Sequence, residues 1–181
     1  MSVMRWLVDG YNVIRRAPEL RSREQESLEA GRQALCAMLA EVARVSHDIF
    51  TVVFDGVDAG GRGGGGAGVT VIFSSARESA DHVLGRMARE GGAVVSNDRE
   101  VRRAAERAGA VVVTTDQFLA RLDQARSVMT GTGVSDPESE KDEGDDPERA
   151  PRKGNPRRLS KKERVTRRAL GRLGPGRPPG G

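Results

Sequence analysis

Cysteine is almost missing from this chain. Cys36 is the only one among 181 residues, so an internal disulfide framework is excluded and a reducing compartment is expected. Histidine is nearly as scarce, with only His47 and His82, which leaves a zinc site little to work with. Aromatic residues make up 3% of the chain, too few for base stacking to dominate any contact with a nucleic acid. No apolar run approaches the roughly 18 residues of a membrane-spanning helix. The opening MSVMRWLVDG turns polar too early for a signal peptide. The expectation from these absences is a cytoplasmic protein with no membrane partner.

What is present is charge, unevenly spread. The net charge is +4, with 30 basic and 26 acidic side chains. Residues 1–134 carry 17 of each and are neutral, residues 135–150 carry 2 basic against 8 acidic, and residues 151–181 carry 11 basic against 1 acidic. A neutral body, a strip at −6 and a tail at +10 are three different objects. The expected division is a folded domain over 1–130, an acidic disordered linker over 131–150 and a basic disordered tail over 151–181. The segment RRLSKKERVTRRALGRL within that tail also allows a short basic helix.

Within the body, short apolar runs alternate with helical periodicity. Strands are predicted at residues 5–9, Ile49 to Asp55, VTVIFSS, Ala93 to Ser96 and Ala110 to Thr114. A helix is predicted over 24–45, where Leu28, Leu35, Met38, Leu39, Val42 and Val45 share a face. RRAPELRSRE before it reads as a loop. Another helix is predicted from about Ser75, because Ser75 and Glu78 have capping-box spacing. Ala80, Val83, Leu84, Met87 and Ala88 form its inner face, and Gly91-Gly92 stops it. Short helices follow Asp98 and Asp116. The glycine-rich GGRGGGGAG is a flexible loop; it lacks the Gly-Lys-Ser/Thr of a phosphate loop. Uninterrupted apolar strands alternating with helices suit a parallel sheet buried on both faces. That weakens the hairpin reading that Asp9-Gly10 would otherwise invite.

The acids fall at informative places. Asp9 and Asp55 end strands, Asp98 and Asp116 follow strands, and Asp81 lies at the start of a helix. Open parallel sheets build their sites at the carboxyl ends of strands, so these carboxylates can converge. Carboxylates packed together repel, and a divalent cation relieves that repulsion. Ligands that are all oxygen suit Mg²⁺ or Mn²⁺. Each acid also has a structural reading. Asp98 and Asp116 stand where helix N-caps belong, Asp55 can start a turn, and Asp81 complements a helix dipole. Asp9 is the hardest to explain that way, and Asn12 lies within reach of the same crevice.

LVDGYNVI, VVFDG, SADHVL and VVSNDREV, in this order over about residues 4–125, resemble the YacP-like NYN group of PIN-like ribonucleases. Gly10-Tyr11-Asn12 supplies the Asn-Tyr-Asn-like element. The group's Ala-Asp-Asp reads Ala80-Asp81-His82 here, so its second acid is replaced by His82. The resemblance implies a PIN-like three-layer α/β domain with a mostly parallel central sheet, and metal-dependent cleavage of RNA. It assigns Asp9, Asp81 and Asp98 as ligands of one or two Mg²⁺ or Mn²⁺ ions, with Asp55 as an outer ligand or support. Asn12 and Asn97 would orient water or a phosphate oxygen. Arg15 and Arg16, with Arg99, Arg102 and Arg103, would hold RNA phosphates, the second group being equally a solvated helix face. Tyr11 reads equally as packing or as a stacking platform.

The expected activity is thus that of a metal-dependent endoribonuclease acting through a metal-activated water. The alternative is a non-catalytic or weakly active RNA- or ribosome-binding protein, favoured by His82 and by the basic tail. Nothing marks DNA as a partner. A phosphatase of the Asp-x-Asp type is excluded by Tyr11, and a dinucleotide enzyme by the lack of Gly-x-Gly-x-x-Gly after the first strand.

Overall fold

The structure is a computed structural model and describes residues 3–56, 62–129 and 159–173. One six-stranded sheet runs through it. Its strands are β1 (Arg5–Asp9), β2 (Ile49–Phe54), β3 (Arg62–Gly64), β4 (Val69–Phe73), β5 (Ala93–Val95) and β6 (Val111–Val113), in spatial order β3-β4-β2-β1-β5-β6. All pairings are parallel except β3 with β4. The helices are α1 (Gly10–Arg16), α2 (Pro18–Glu26), α3 (Leu28–Ser46), α4 (Ala80–Ala88), α5 (Arg99–Arg107), α6 (Thr115–Met129) and α7 (Lys161–Leu170).

Alternation along the strands sorts side chains into two cores. Trp6, Val8, Phe50, Val52, Phe54 and Val95 pack with Ile14, Leu35, Leu39, Phe118 and Leu122 on the side of α1, α3 and α6. Leu7, Val53 and Val94 pack with Val83, Leu84, Val101 and Ala105 of α4 and α5 on the other. This is the expected three-layer α/β arrangement. The chain moves outward from β1 to β2 and β4, and α4 then carries it back to β5 on the far side of β1. Strand order therefore reverses beside β1, and a crevice at the carboxyl ends of the strands is the consequence.

Four local expectations are corrected. The segment read as a loop before residue 24 holds α1 and α2, with Pro18 at the first turn of α2, where its missing N–H costs nothing. The single helix expected over 24–45 is divided at Ser27, whose extended backbone lets its side chain accept from Ala30 N and cap α3. The helix expected near Ser75 begins at Ala80 with Ser79 as its cap. Ser75 instead closes a turn, its Oγ accepting from the backbone of Arg77 and Glu78. Of the glycine-rich loop, residues 60–61 lie outside the described residues, as do 57–59 before it, and Arg62–Gly64 pair as an antiparallel edge strand.

A fifth correction concerns the C-terminal segment. Residues 159–173 belong to the expected disordered tail, yet they hold α7 against the body. Ser160 and Glu163 close a capping box on it. The Thr166 hydroxyl donates to the carbonyl of Val112 on β6 at 3.1 Å, Ala169 and Leu173 are buried in the main core, and Lys162 pairs with Glu106. β6 is the apolar outer strand opposite β3, and a helix over an edge strand satisfies backbone groups that would otherwise template aggregation. The expected acidic linker and the rest of the tail lie outside the described residues.

Candidate active site

The strand register gathers the acids. Leu7 and Val94 are neighbours across β1 and β5, both on the α4–α5 side. Two residues further along each strand come Asp9 and Ser96, on the same side by alternation. Ser96 Oγ donates to Asp9 Oδ2 at 2.9 Å. Asp55 extends β2 and bonds across to the residue after β4, accepting from Ser74 Oγ at 2.6 Å. The chain then enters α4 and α5 with their N-termini at this end of the sheet, which brings in Asp81 and Asp98. Asp9, Asp55, Asp81 and Asp98 line one crevice of about 570 Å³, together with Asn12, Asn97, Tyr11, Arg15 and Arg16.

Two of these acids also cap helices. Asp9 Oδ1 accepts from Asn12 N at 3.2 Å and so caps α1. Asp98 Oδ1 accepts from Glu100 N and Val101 N at 2.7 and 3.1 Å and caps α5. Its Oδ2 has no hydrogen-bond partner among the described residues. Asp81 has none at either oxygen, because Ser79 caps α4 in its place. Asp116 does not cap α6. Thr114 and Gln117 do so by mutual bonds, Gln117 N to Thr114 Oγ1 and Thr114 N to Gln117 Oε1, each at 3.2 Å.

The electrostatics record the crowding. Burial raises the Asp9 carboxyl above its ordinary range, bonds from Ser96 and Asn12 oppose this, and Asp98 adds to it. Asp81 is also raised, first by partial burial and then by the charges of Asp98, Asp9, Asp55 and Glu100. Asp116 is lowered by its bonds from Arg16 and Asn97.

Asn12 is a tie as much as a functional group. Its Oδ1 accepts from Asn97 N at 3.1 Å and from Thr115 Oγ1 at 2.8 Å. Asn97 Oδ1 in turn accepts from Thr115 N at 3.0 Å, and Asn97 Nδ2 donates to Asp116 at 3.1 Å. Asp116 closes the chain of contacts by accepting from Arg16 Nε at 2.6 Å. The network fixes the ends of β1, β5 and β6 to one another. Sequence reasoning gave Ser96, Ser74 and Thr115 no role, although each sits beside or opposite an acid it did find.

Gly10 explains why glycine follows Asp9. A Cβ there would lie 2.3 Å from Phe54 Cε1, so only glycine admits the close approach of α1 to β2. Tyr11 packs edge-on to Phe54 at 5.1 Å between ring centroids. Its hydroxyl accepts from Arg32 Nε and Nη2 at 3.0 and 2.6 Å, and Arg15 lies 5.3 Å over its ring. Packing, not an open stacking platform, is what these contacts describe. Arg15 and Arg16 rim the crevice. Arg99, Arg102 and Arg103 are not among its lining residues; Arg102 faces the cleft between α5, β6 and α7, and its Nε is buried with no hydrogen-bond partner among the described residues.

The donor chemistry fits a hard divalent cation, since every acid at the crevice offers oxygen. Among the described residues, no three His, Cys, Asp or Glu side chains stand close enough to form a ready-made ligand cluster. An ion there would be held by few carboxylates, with waters completing its shell.

A three-layer α/β domain that delivers carboxylates from several strand ends to one crevice has a ribonuclease-type, PIN-like fold. The model of one such family, the YacP-like NYN domain, matches residues 6–165, and the chain belongs to that family. Among solved structures it is similar to Rae1 (YacP) from Bacillus subtilis. A crystal structure of a point variant of that protein is 25% identical, covering 72% of this chain and 84% of that one with a TM-score of 0.58. A second crystal structure of Rae1 is 24% identical over 73% and 79% of the two chains, with a TM-score of 0.60, a likeness that carries the fold alone. No curated relative matches.

Proposed function

We propose that this protein is a metal-dependent endoribonuclease. The observation that carries the reading is the mutual charge of Asp9, Asp55 and Asp98 on Asp81 within one crevice. A fold that bears such repulsion has a use for a cation. Asp81 and the unpartnered Oδ2 of Asp98 are the oxygens best placed to hold Mg²⁺ or Mn²⁺, with Asp9 beside them and Asp55 as outer support. When bound, such an ion supplies charge stabilisation to the phosphodiester oxygens and acidity to an attacking water. Asn12 keeps its amide NH₂ for orienting water or a phosphate oxygen, since its Oδ1 is committed to Asn97 and Thr115. Arg15 and Arg16 offer positive charge to flanking phosphates. RNA is the proposed substrate, in keeping with the family.

The test is cleavage of end-labelled single-stranded RNA with Mg²⁺ or Mn²⁺, comparing wild type with Asp81→Asn and Asp98→Asn. Loss of cleavage in both, with folding intact, is the expected result. The second reading, an RNA- or ribosome-binding protein without activity, rests on His82 replacing an acid of the related pattern. It prevails if the wild type binds RNA and cleaves none under any metal.

A further inference from the structure

Beside the crevice lies a second depression, about 930 Å³, between α4 and α5. Arg77, Glu78, Asp81, His82, Arg86, Arg89 and Arg107 line it, over a floor of Gly85, Ala104 and Ala108. Asp81 lines both spaces, so groove and crevice adjoin at this residue. Both helices begin at the crevice, with Asp81 in the first turn of α4 and Asp98 capping α5; Arg89 caps the far end of α4 and Arg107 ends α5. At 1.5 Å per residue the groove runs about 12 Å from Asp81 to Arg89. Arg86 is neutralised by Glu78 through bonds of 3.0 and 3.2 Å. Arg77, Arg89 and Arg107 are exposed and have no acidic partner among the described residues. Small side chains on the floor let α4 and α5 pack closely; a Cβ at Gly85 would stand 3.3 Å from that of Ala104.

Resting on the nuclease reading of the crevice, we propose that this groove carries the single-stranded RNA that flanks the scissile phosphate. The acids mark the reacting end, and Arg89 and Arg107, unpaired among the described residues, mark the far end, so charge changes sign along a path of fixed direction. Twelve ångströms accommodates about four nucleotides at duplex spacing and fewer in an extended strand. Among the described residues no Phe, Tyr or Trp lines the groove, so it is built to read phosphates before bases. His82 lines this groove and not the crevice; an acid at that position would place a negative charge in the path of the strand.

The experiment measures binding of a fluorescent 20-nucleotide single-stranded RNA to the full chain across salt, without divalent metal. Arg89→Ala/Arg107→Ala is compared with wild type and with Arg21→Ala/Arg44→Ala, which removes two exposed arginines from the α2–α3 side. Each lost phosphate contact flattens the slope of log affinity against log salt by about 0.7. The groove variant is expected to lose about 1.4 from that slope and the control variant nothing. Equal losses in the two variants, or none in the groove variant, would overturn the proposal. So would displacement of the RNA by polyglutamate as effectively as by unlabelled RNA. Binding is read without turnover, so an inactive crevice and an empty groove give different results.

Discussion

Replacing Asp9 separates what its charge does from what its hydrogen bonds do. The carboxylate accepts from Asn12 N at the start of α1 and from Ser96 Oγ on the neighbouring strand. Asparagine keeps an acceptor for the cap and ranks with aspartate at that position, and its NH₂ donates to Ser96 Oγ with the native bond reversed. Alanine loses the cap, about 1 kcal/mol, and the bond from Ser96, about 1 kcal/mol more. Asp9→Ala should therefore be about 2 kcal/mol less stable than Asp9→Asn, or about 4–8 °C lower in Tm for a chain of this length. The charge acts in the opposite sense. The folded state raises the Asp9 carboxyl, so it binds a proton more tightly than the unfolded chain does. That favourable contribution is complete below the unfolded value near 3.9 and is lost as pH rises through the folded value. At neutral pH without metal, Asp9→Asn should thus melt at or above wild type, and the advantage should vanish by about pH 3.5. Thermal melts in chelator at pH 7.5 and 3.5, with RNA cleavage on the same samples, test both halves. If Asp9→Asn melts as low as Asp9→Ala at pH 7.5, or cleaves RNA like wild type, the view of Asp9 as a strained site acid is refuted.

Three further outcomes are expected. Gly10→Ala should cost about 1–3 kcal/mol by overpacking against Phe54, read by urea denaturation. Leu173→Ala should cost about 2–5 kcal/mol although it lies in the charged tail, because Leu173 is fully buried; a change under 0.5 kcal/mol would mean that α7 does not dock. Saturating Mn²⁺ at about 100 times its Kd should stabilise wild type by about 2.7 kcal/mol, and Asp81→Asn/Asp98→Asn should lose most of the resulting rise in Tm.

The strands were legible because burial on both faces leaves little besides valine, isoleucine, leucine and phenylalanine, and their predicted bounds fall within two residues of the observed ones. The acids at their ends were legible for the same reason, since nothing in an apolar strand itself calls for a charge at its close. What escaped was decided by single side chains acting across the fold. Ser27 ends α2 and caps α3 in a stretch with no glycine or proline to mark the break, and Gly31 lets the two helices pack closely, for a Cβ there would lie 3.0 Å from Glu24 Cα. β3 carries mostly glycine and owes its existence to backbone pairing with β4. α7 buries only Thr166 and Ala169 within the helix and Leu173 beyond it, a spacing of three and four residues that is helical, but Thr166 and Ala169 are too small to stand out among arginines.

At the site, capping and a catalytic role looked like rival readings of the same acids, and the topology shows how one carboxylate can serve a cap and still face the crevice. In a parallel sheet each strand ends where the following helix begins, so the carboxyl ends of strands and the N-termini of helices share one edge of the domain. Positive helix ends there favour acids, and a cap uses a single carboxylate oxygen. Asp98 gives Oδ1 to α5 and leaves Oδ2 without a partner among the described residues. Asp9 gives Oδ1 to α1 and takes Ser96 on the other oxygen. α4 departs from this scheme. Its cap is Ser79, just ahead of Asp81 in the chain, and this relieves Asp81 of every backbone obligation. Asp81 is therefore the acid whose place in the crevice local structure explains least. It is also the one on which the charges of Asp9, Asp55 and Asp98 all bear.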